Sequence, residues 1–342
     1  MTPDDCLNTR ARILRLLADG ALHSGADLGR QLGISRAAVF KSVRALSDQG
    51  VRVTATAGQG YRLEAPLTPL DSEGIRGQLR VTDGPDIRLE IVEQIDSTNR
   101  YLLEHVLTDA DPCGRVCLAE VQDRGRGRRG RSWIASAYRN LMLSMAWRFA
   151  TGPGMVAGLS LAAGVGVVRA LEEFGVTSVG IKWPNDVLWT GGRAIPGAAP
   201  ERKLAGLLVD VHGEASGPCT VVLGVGVNCH ITVDDAERID QPWVDIRTIT
   251  GQPPDRNRLA ALLVGHLHAV FQTFAASGFA AFAEEWNRCH VFGGRLVRIS
   301  QGDSFLEGVV DGVEATGALR LRMMNGTTQL FHAGEVSLRP AC

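Results

Sequence analysis

The sequence predicts an α+β fold in three parts: an N-terminal winged helix-turn-helix, a central mixed α/β domain and a small SH3-like β-barrel. Three observations predict it. Three short helical patterns and a hairpin fill the first part, strands and helices alternate through the second, and only short strands follow Gly293. The predicted domain boundaries are residues 1–66, 67–291 and 292–342.

The N-terminal part shows apolar residues at helical spacing, followed by two strand-like runs. The third predicted helix carries Val39, Val43 and Leu46 on one face. Ser35 precedes it as a good N-cap, and Gly50 lies where a glycine would end it. Glycines between the two runs favour a hairpin, which would form the wing. The helices are predicted at 10–17, 26–32 and 36–49, and the strands at 51–55 and 60–63.

The central part begins after a proline-containing linker at residues 65–69. Long apolar stripes predict buried helices at 156–174 and 258–274. His266 and His268 lie two positions apart on the second helix, so they point to different faces and are not expected to share a metal ion. The other central strands are predicted at 87–95, 115–121, 141–149, 178–182, 203–211 and 220–227, with a helix at 97–107 and loops at 123–140 and 191–200. The C-terminal strands are predicted at 296–300, 305–310, 318–323 and 328–332.

Composition is that of an ordinary globular protein. Apolar residues make up 45% and charged residues 21% of the 342 residues, and the formal net charge is −1, so any nucleic-acid contact must come from a local patch. The seven cysteines include no CxxC pair, which favours reduced thiols in a cytoplasmic protein. The N-terminus lacks an apolar signal region and no apolar run approaches ~18 residues, so no membrane span is expected.

One loop stands out for its chemistry. Residues 122–133 hold five arginines and three glycines. Glycine lets the backbone close on a ligand, arginine offers forked donors for phosphate and carboxylate, and the mutual repulsion of the arginines predicts a loop that orders when an anion binds. A solvated basic loop and an RNA-binding tract are the alternatives. Because the tract is single and follows a strand in a neutral domain, with Gln122 and Trp133 flanking it, we favour a loop that closes on an anionic ligand.

Three further segments carry residues suited to the same chemistry. In residues 182–186 (KWPND), the lysine could neutralise an α-phosphate and the Asn and Asp could hold Mg²⁺, although a polar turn alone explains this pentapeptide. Residues 202–206 place Lys203 in an apolar strand, where its charge must be used or must reach the surface. Residues 224–228 (GVGVN) let a ligand approach a strand closely. They lack the third glycine and following helix of a dinucleotide site.

The order of these segments resembles that of the biotin–protein ligases. The resemblance covers essentially the whole chain and rests on residues 96–99 (DSTN), Gln122 with 125–131, 182–186, 203–206 and 224–228. With the winged helix and the barrel, the chain is similar to the bifunctional bacterial type, which also represses the biotin operon. The resemblance implies that biotin and ATP give biotinyl-5′-adenylate and pyrophosphate. A lysine of the biotin carboxyl carrier protein of acetyl-CoA carboxylase would then attack the adenylate.

The resemblance also implies a role for each matching residue. The implied catalytic residues are Lys203, Lys182 and Arg128. The implied biotin site comprises Ser97, Thr98, Asn99, Gln122, Arg126, Gly127, Arg128, Lys203, Gly206, Gly224 and Gly226. The implied ATP site comprises Arg126, Arg128, Lys182, Asn185, Asp186, Asn228 and Trp243. Mg²⁺ would arrive with ATP and lie near Asp186, and no permanently bound cofactor is expected. A carboxylate attacking a phosphate is an anion approaching an anion, so the site must supply positive charge and exclude water.

Operator DNA is the partner implied for the winged helix. Residues 1–66 hold nine Lys/Arg and six Asp/Glu, a net charge of +3. Ser35, Arg36, Lys41 and Arg44 lie at the start of or along the third predicted helix, which would enter the major groove. A winged helix that only packs against the central domain is the alternative. The family also forms homodimers when the adenylate is bound, and this carries over as a hypothesis.

Two other functions remain open. A lipoate or octanoate ligase shares the catalytic fold but places a different glycine-rich signature in the pocket loop. A regulator that only senses a small acid would release no pyrophosphate. One departure from the family is residues 188–201, which are longer and richer in Gly, Ala and Pro than in the best-known bifunctional members. We interpret them as a tolerated surface insertion rather than as a change in acceptor access.

Overall fold

The computed structural model describes residues 3–80, 87–107, 109, 111–191, 201–214, 217–301, 304–332 and 336–340. Within these ranges the α+β prediction is confirmed, because a three-helix unit with a hairpin, a seven-stranded mixed sheet and a five-stranded antiparallel sheet follow one another along the chain. The loop predicted at 191–200 lies outside the described residues from position 192 onward.

The N-terminal unit is a winged helix. Its elements are α1 (Pro3–Leu17), α2 (Gly25–Leu32), α3 (Arg36–Asp48), β1 (Val53–Thr56) and β2 (Gly60–Leu63). Ser35 caps α3, since its Oγ accepts the Ala38 amide at 3.2 Å. The helix α1 begins seven residues before the predicted start at residue 10, because its polar first turns carry no apolar period that a sequence pattern would reveal.

The winged helix packs on the central domain through Tyr138. Its ring is 2% exposed and lies in an apolar cluster with residues of α1 and α3, while its hydroxyl donates to Glu93. A second contact joins Gln49 Nε2 to Gln94 Oε1 at 2.9 Å. Tyr138 belongs to the segment that follows the arginine-rich loop, so the chain runs directly from that loop into the domain contact.

The central domain is built on a seven-stranded sheet in the order β3-β4-β5-β9-β8-β7-β6. Its strands are β3 (Arg88–Ile95), β4 (Arg115–Gln122), β5 (Leu141–Phe149), β6 (Val179–Lys182), β7 (Asp186–Trp189), β8 (Arg202–Gly213) and β9 (Cys219–Val227). Only β3 and β4 pair in parallel, and the other neighbours are antiparallel. A short helix, α4 (Ser72–Arg76), precedes β3, and α5 (Thr98–Val106) connects β3 to β4.

Two long helices cover the sheet. In α6 (Leu159–Phe174), a Cβ on Gly166 would lie 2.9 Å from Val270 Cγ2 of α9 (Arg256–Ser277), so the glycine permits the close contact between these helices. Among the described helices, α9 alone is long and apolar enough to cross a membrane, and 61% of its most apolar window is buried in the protein, as in a core helix. Its two histidines point apart as predicted: His266 contacts Glu173 at 2.9 Å, and His268 packs against Trp147.

The C-terminal domain is an antiparallel sheet in the order β13-β12-β11-β10-β14. Before it come α7 (Val233–Ala236), α8 (Ile246–Thr250) and α10 (Ala283–Cys289). Its strands are β10 (Leu296–Gln301), β11 (Ser304–Val313), β12 (Leu319–Met323), β13 (Thr328–Phe331) and β14 (Val336–Pro340). Trp183 links it to the central domain, because its buried Nε1 donates to Gly317 O at 3.4 Å.

Several short elements were absent from the sequence prediction. The strand β7 begins at Asp186, inside a segment interpreted as a turn, and it takes in the first two residues of the predicted insertion at 188–201. The helices α4, α7, α8 and α10 and the strand β14 were also missed. Each spans seven residues or fewer. Elements this short carry little periodic signal and are specified by pairing and packing with distant segments.

Candidate active site in the central sheet

A cavity of about 220 Å³ opens on the central sheet. It lies among the start of α5, the end of β4, the facing strands β8 and β9, and the arginine-rich loop. Every residue predicted for the biotin site lines it, from Ser97 and Gln122 to Gly226, and so does Asn185 of the predicted ATP site. The fold therefore brings together segments that are more than 100 positions apart in the sequence.

One wall of the cavity is a hydrogen-bonded network of buried and half-buried polar side chains. Gln122 Oε1 accepts both the amide and the hydroxyl of Thr98, at 2.6 and 3.0 Å. Ser144 Oγ lies 2.7 Å from Thr98 Oγ1 and 2.6 Å from Asn99 Oδ1. These hydrogen bonds fix the side chains in a place where an unpaired polar group would be costly. Ser144 was not predicted; the sequence shows only a single serine inside the apolar strand β5, and its burial is visible in the structure alone.

The floor of the cavity is made of glycines beneath an indole ring. A Cβ on Gly226 would lie 2.4 Å from Trp133 Cε2, and a Cβ on Gly206 would lie 2.9 Å from Trp133 Cζ3. A Cβ on Gly224 would lie 2.1 Å from Asn99 Oδ1. Any larger residue at these three positions would therefore displace a cavity wall. The three glycines were expected in the biotin site from the resemblance, whereas Trp133 had no predicted role there.

Lys203 lies at the centre of the charged groups. Its Nζ is 2.7 Å from Asp186 Oδ1 and 5.3 Å from the centroid of the Trp133 ring. Lys182 approaches the same carboxylate more loosely, with Nζ 4.0 Å from Asp186 Oδ2. The side chain of Lys203 is only 12% exposed, so its charge lies in a partly desolvated site, where electrostatic interactions are stronger than in water.

Two arginines of the loop are held by residues of the sheet. Arg126 donates to both carboxylate oxygens of Asp210, at 3.1 and 3.4 Å. Arg128 Nη1 donates to Asn185 Oδ1 at 3.2 Å, and burial lowers the pKa of its guanidinium although Asp186 raises it. Arg129, between them and Gly130, has a φ of 59°, a left-handed conformation that few non-glycine residues adopt. The loop thus turns tightly just after Arg128 and places it over the cavity.

Four predicted site residues lie beside the main cavity rather than on its lining. Lys182 and Asp186 flank Lys203 as described above. Asn228 and Trp243 line a second cavity of about 50 Å³, which Lys203 and Trp133 share with the first. Asn228 Nδ2 donates to the Lys203 and Val244 carbonyls, both at 3.2 Å, so its amide fastens the segment around Trp243 to β8. Arg238, Asp240 and Gln241 line both cavities; they belong to the polar stretch 234–243, which the resemblance implied at the adenylate without a role for these three residues.

The predicted DNA-binding residues lie on the helix α3 or at its N-cap. Arg36, Lys41 and Arg44 are exposed on α3, and none of them forms an ion pair within the described part of the chain. Ser35 is also exposed, but its Oγ is used as the helix cap. The surface of α3 is therefore positively charged and available for contact with a polyanion.

Comparison with known families gives three matches in chain order. A helix-turn-helix domain matches residues 9–62, the biotin/lipoate A/B protein ligase family matches residues 91–228, and the biotin protein ligase C-terminal domain matches residues 292–339. The "Bifunctional ligase/repressor BirA" of Escherichia coli K12 is 37% identical over 330 residues, covering 96% of this chain and 97% of the relative. The "Biotin--[acetyl-CoA-carboxylase] ligase" of Mycobacterium tuberculosis is 34% identical over 272 residues, covering 78% and 95%.

Solved structures are similar in fold. The biotin protein ligase from Aquifex aeolicus in complex with biotin and ATP superposes with a TM-score of 0.59 at 24% identity, covering 74% of this chain and 99% of that one. Its apo structure gives a TM-score of 0.57 at 21% identity, covering 75% and 100%. The fold is therefore shared, and these structures match about three quarters of this chain.

Proposed function

This chain belongs to the biotin protein ligase family, and we propose from that premise that its central cavity joins biotin to ATP and passes biotin to a carrier protein. It is an ATP-dependent biotin ligase with a helix-turn-helix domain, as the relatives that match its full length indicate. The carboxylate of biotin would attack the α-phosphate of ATP, releasing pyrophosphate and forming biotinyl-5′-adenylate.

The position of Lys203 is the observation that carries the proposal. This side chain borders both cavities, so one cation lies where a carboxylate from the larger cavity would meet a phosphate from the smaller one. We place the biotin rings in the larger cavity, against the hydrogen-bonded wall of Thr98 and Gln122, and the adenine near Trp243 in the smaller. Lys203 would leave Asp186 to contact the phosphate in the transition state, where fixed positive charge lowers the barrier most.

The two anchored arginines complete the site. Arg126, fixed by Asp210, would lie along the biotin and adenylate, and Arg128 would contribute a second guanidinium beside Asn185. Guanidinium groups bind phosphate oxygens through paired donors, which orients the phosphate as well as neutralising it. The loop with Trp133 over the floor would exclude water, which otherwise hydrolyses the mixed anhydride. The amine of an acceptor lysine would then attack the biotinyl carbonyl and release AMP.

Mg²⁺ would enter this site with ATP. Among the described residues, no three histidine, cysteine, aspartate or glutamate side chains converge to hold a metal ion. Mg²⁺ commonly uses one or two carboxylates together with substrate phosphates and waters, and Asp186 fits that mode as the protein ligand. The ion would neutralise phosphate charge while ATP is bound. No permanently bound cofactor forms part of the proposal, and we place the reaction in the cytoplasm, where ATP and carrier proteins meet.

A second function, repression through operator DNA, is favoured by the surface of α3. Arg36, Lys41 and Arg44 are exposed on the helix that a winged helix places in the major groove. A homodimer that forms when the adenylate is bound would present two such helices to a two-fold operator. We propose this arrangement by analogy with the bifunctional relatives, and a winged helix that only packs on Tyr138 is its alternative.

Activity with biotin compared with lipoate distinguishes a biotin ligase from a lipoate ligase and from a regulator that only senses an acid. The purified chain is incubated with ATP, Mg²⁺ and either biotin or lipoate, and acyl-adenylate and pyrophosphate are measured; a biotin carboxyl carrier domain is then added and its biotinylation followed. We expect adenylate with biotin and transfer to the carrier lysine. Adenylate with lipoate alone would replace the proposal with a lipoate ligase, and release of no pyrophosphate with either acid would leave only a sensor.

A further inference from the structure

We propose that Arg139, His230 and Arg247 form a second anion site, one that takes a phosphate-type oxyanion. None of the three lines the cavities assigned to biotin and ATP. Arg139 follows the Tyr138 contact with the winged helix, His230 follows β9, and Arg247 lies in α8. The site would therefore lie between the wing and the ligase domain, and it goes beyond the proposed ligase chemistry.

Two guanidinium groups converge on one imidazole ring. Arg139 Nη1 is 2.9 Å from His230 Nδ1, and Arg247 Nη1 is 2.6 Å from His230 Nε2. Arg139 is 9% exposed and His230 is partly buried, whereas Arg247 is exposed and leaves the cluster open to solvent on one side. A ligand could therefore reach the buried guanidinium past Arg247.

The donors and acceptors of this cluster do not match. A neutral imidazole has one acceptor nitrogen and one N–H, so it can accept from only one of the two arginines, and the other guanidinium faces a donor. Protonating the ring would remove the last acceptor and add a third positive charge. In line with this, burial and then the two arginines lower the pKa of His230 to about 4. An oxyanion bridging the guanidiniums would supply the missing acceptors.

The carboxylates nearest to the cluster are engaged elsewhere. Asp245 raises the pKa of His230, but by less than burial and the two arginines lower it. The carboxylate oxygens of Asp245 accept the backbone amides of Ile231 and Thr248, at 2.8 and 2.7 Å. Glu64 faces Arg139 but lies 3.9 Å from Arg52, which also faces Arg139. Arg256 adds further positive charge near Arg139 and is paired with Glu120. Within the described ranges, neither Arg139 nor Arg247 takes part in an ion pair, so the cluster carries uncompensated positive charge.

The ligand class follows from the geometry of guanidinium donors. Arginine binds phosphate oxygens through a planar fork, so each of the two guanidiniums at the His230 ring offers donors to a tetrahedral oxyanion. The phosphate could be free in solution or belong to the DNA backbone, because Arg52 of the winged helix faces the same cluster. A phosphate of the DNA backbone rests on the DNA-binding function proposed above, whereas free phosphate does not.

The test measures phosphate binding and the protonation of His230 in the same protein. Inorganic phosphate is titrated into the full chain at constant ionic strength by calorimetry, and the His230 ring is followed by NMR, assigned with His230→Gln. We expect saturable binding, a rise of at least one unit in the pKa of His230, and about tenfold weaker binding in Arg247→Gln, the loss expected for one charge-assisted hydrogen bond. The exposed Arg148→Gln is the matched control.

Two results for inorganic phosphate binding decide the proposal. The absence of saturable phosphate binding in the wild-type chain, or equal losses in Arg247→Gln and Arg148→Gln, would overturn it. Because Arg139 is buried and its replacement could unfold the chain, the exposed Arg247 carries the test. A parallel titration with a random-sequence DNA duplex separates the sources. If the salt dependence of DNA binding is smaller in Arg247→Gln than in the wild type, the ligand is a phosphate of the DNA backbone. If that salt dependence is unchanged while inorganic phosphate binds more weakly, the ligand is the free ion.

Discussion

Asp210 joins the arginine-rich loop to the wall of the cavity, because its Oδ2 accepts Arg126 Nη1 at 3.1 Å and Asn99 Nδ2 at 3.0 Å. The carboxylate thus sets the position of a loop residue and the orientation of a pocket amide. The Asp210→Asn variant keeps the size of the side chain and loses its charge. We expect the KM for biotin to rise about tenfold with a smaller change in kcat, since an exposed charge-assisted pair contributes little more than ~1 kcal/mol.

Steady-state adenylate formation measures this effect. The matched control is Glu285→Gln, which breaks the ion pair with Arg169 at a distance from the cavity. An Asp210→Asn variant with the wild-type KM for biotin would show that Arg126 needs no anchor. Equal losses in both variants would indicate a general loss of stability instead.

Gly224 is expected to tolerate no side chain. A Cβ at this position would lie 2.1 Å from Asn99 Oδ1, and Asn99 is held by Ser144 and Asp210 and cannot withdraw without breaking hydrogen bonds. The Gly224→Ala variant should therefore lose biotin affinity by more than tenfold, measured by calorimetry. Gly154→Ala, where a Cβ would meet nothing within 4 Å, is the control for the glycine-to-alanine change. Wild-type affinity in Gly224→Ala would contradict the assigned wall.

The burial of His290 is expected to make the free energy of unfolding depend on pH. His290 is 7% exposed, stacks on Trp286, has no hydrogen-bond partner for either ring nitrogen among the described residues, and burial lowers its pKa to about 3. The folded state keeps the ring neutral while the unfolded state binds a proton below about pH 6.5, so stability is lost as the pH falls from there towards 3. The His290→Phe variant should lose about 2 kcal/mol less than the wild type between pH 7 and pH 5.

Urea unfolding at the two pH values measures this difference. Replacing the exposed His212 by Phe controls for the loss of an imidazole as such. His230, whose pKa is lowered to about 4, contributes in the same direction and remains in both variants. If His290→Phe lost as much stability as the wild type, the burial of a neutral imidazole would not be the cause.

Substitution of Arg36 is expected to affect DNA binding without affecting ligation. Arg36 is exposed on α3, far along the chain from the cavity, so Arg36→Ala should weaken binding to an operator duplex while adenylate formation stays at the wild-type rate. One lost phosphate contact would also reduce the slope of log affinity against log salt by about 1. Fluorescence anisotropy at several salt concentrations measures both. Unchanged DNA affinity would favour a winged helix that serves only as a packing domain.

The fold was accessible from the periodic patterns of the sequence, and the glycine, lysine and arginine positions of the cavity were accessible through the family resemblance, which rests on segments of unusual local composition. A run of five arginines among glycines and a lysine entering an apolar strand are visible without any contact. Asp210 and Ser144 were not accessible in the same way. Their roles depend on partners 84 and 46 positions away, which only the register of the sheet brings together.

The short elements show the same limit. The strand β7 forms because Asp186–Trp189 pairs with both β6 and β8. A strand of four residues is too short for its own sequence pattern to predict that pairing. Asn228 illustrates the converse case. It was expected at ATP through the resemblance, and the structure shows what its amide also does, which is to hold the Trp243 segment against Lys203. Its role towards ATP stays a prediction.

The role of Lys203 in forming biotinyl-5′-adenylate is tested most directly by biotin-dependent exchange of pyrophosphate into ATP, measured for the wild-type chain and for Lys203→Gln. We expect rapid exchange that requires biotin in the wild type and a loss of about 100-fold or more in kcat for Lys203→Gln, the scale expected when a preorganised charge is removed from a transition state. Exchange in the wild type that ignores biotin, or a Lys203→Gln variant that exchanges at the wild-type rate, would contradict this expectation.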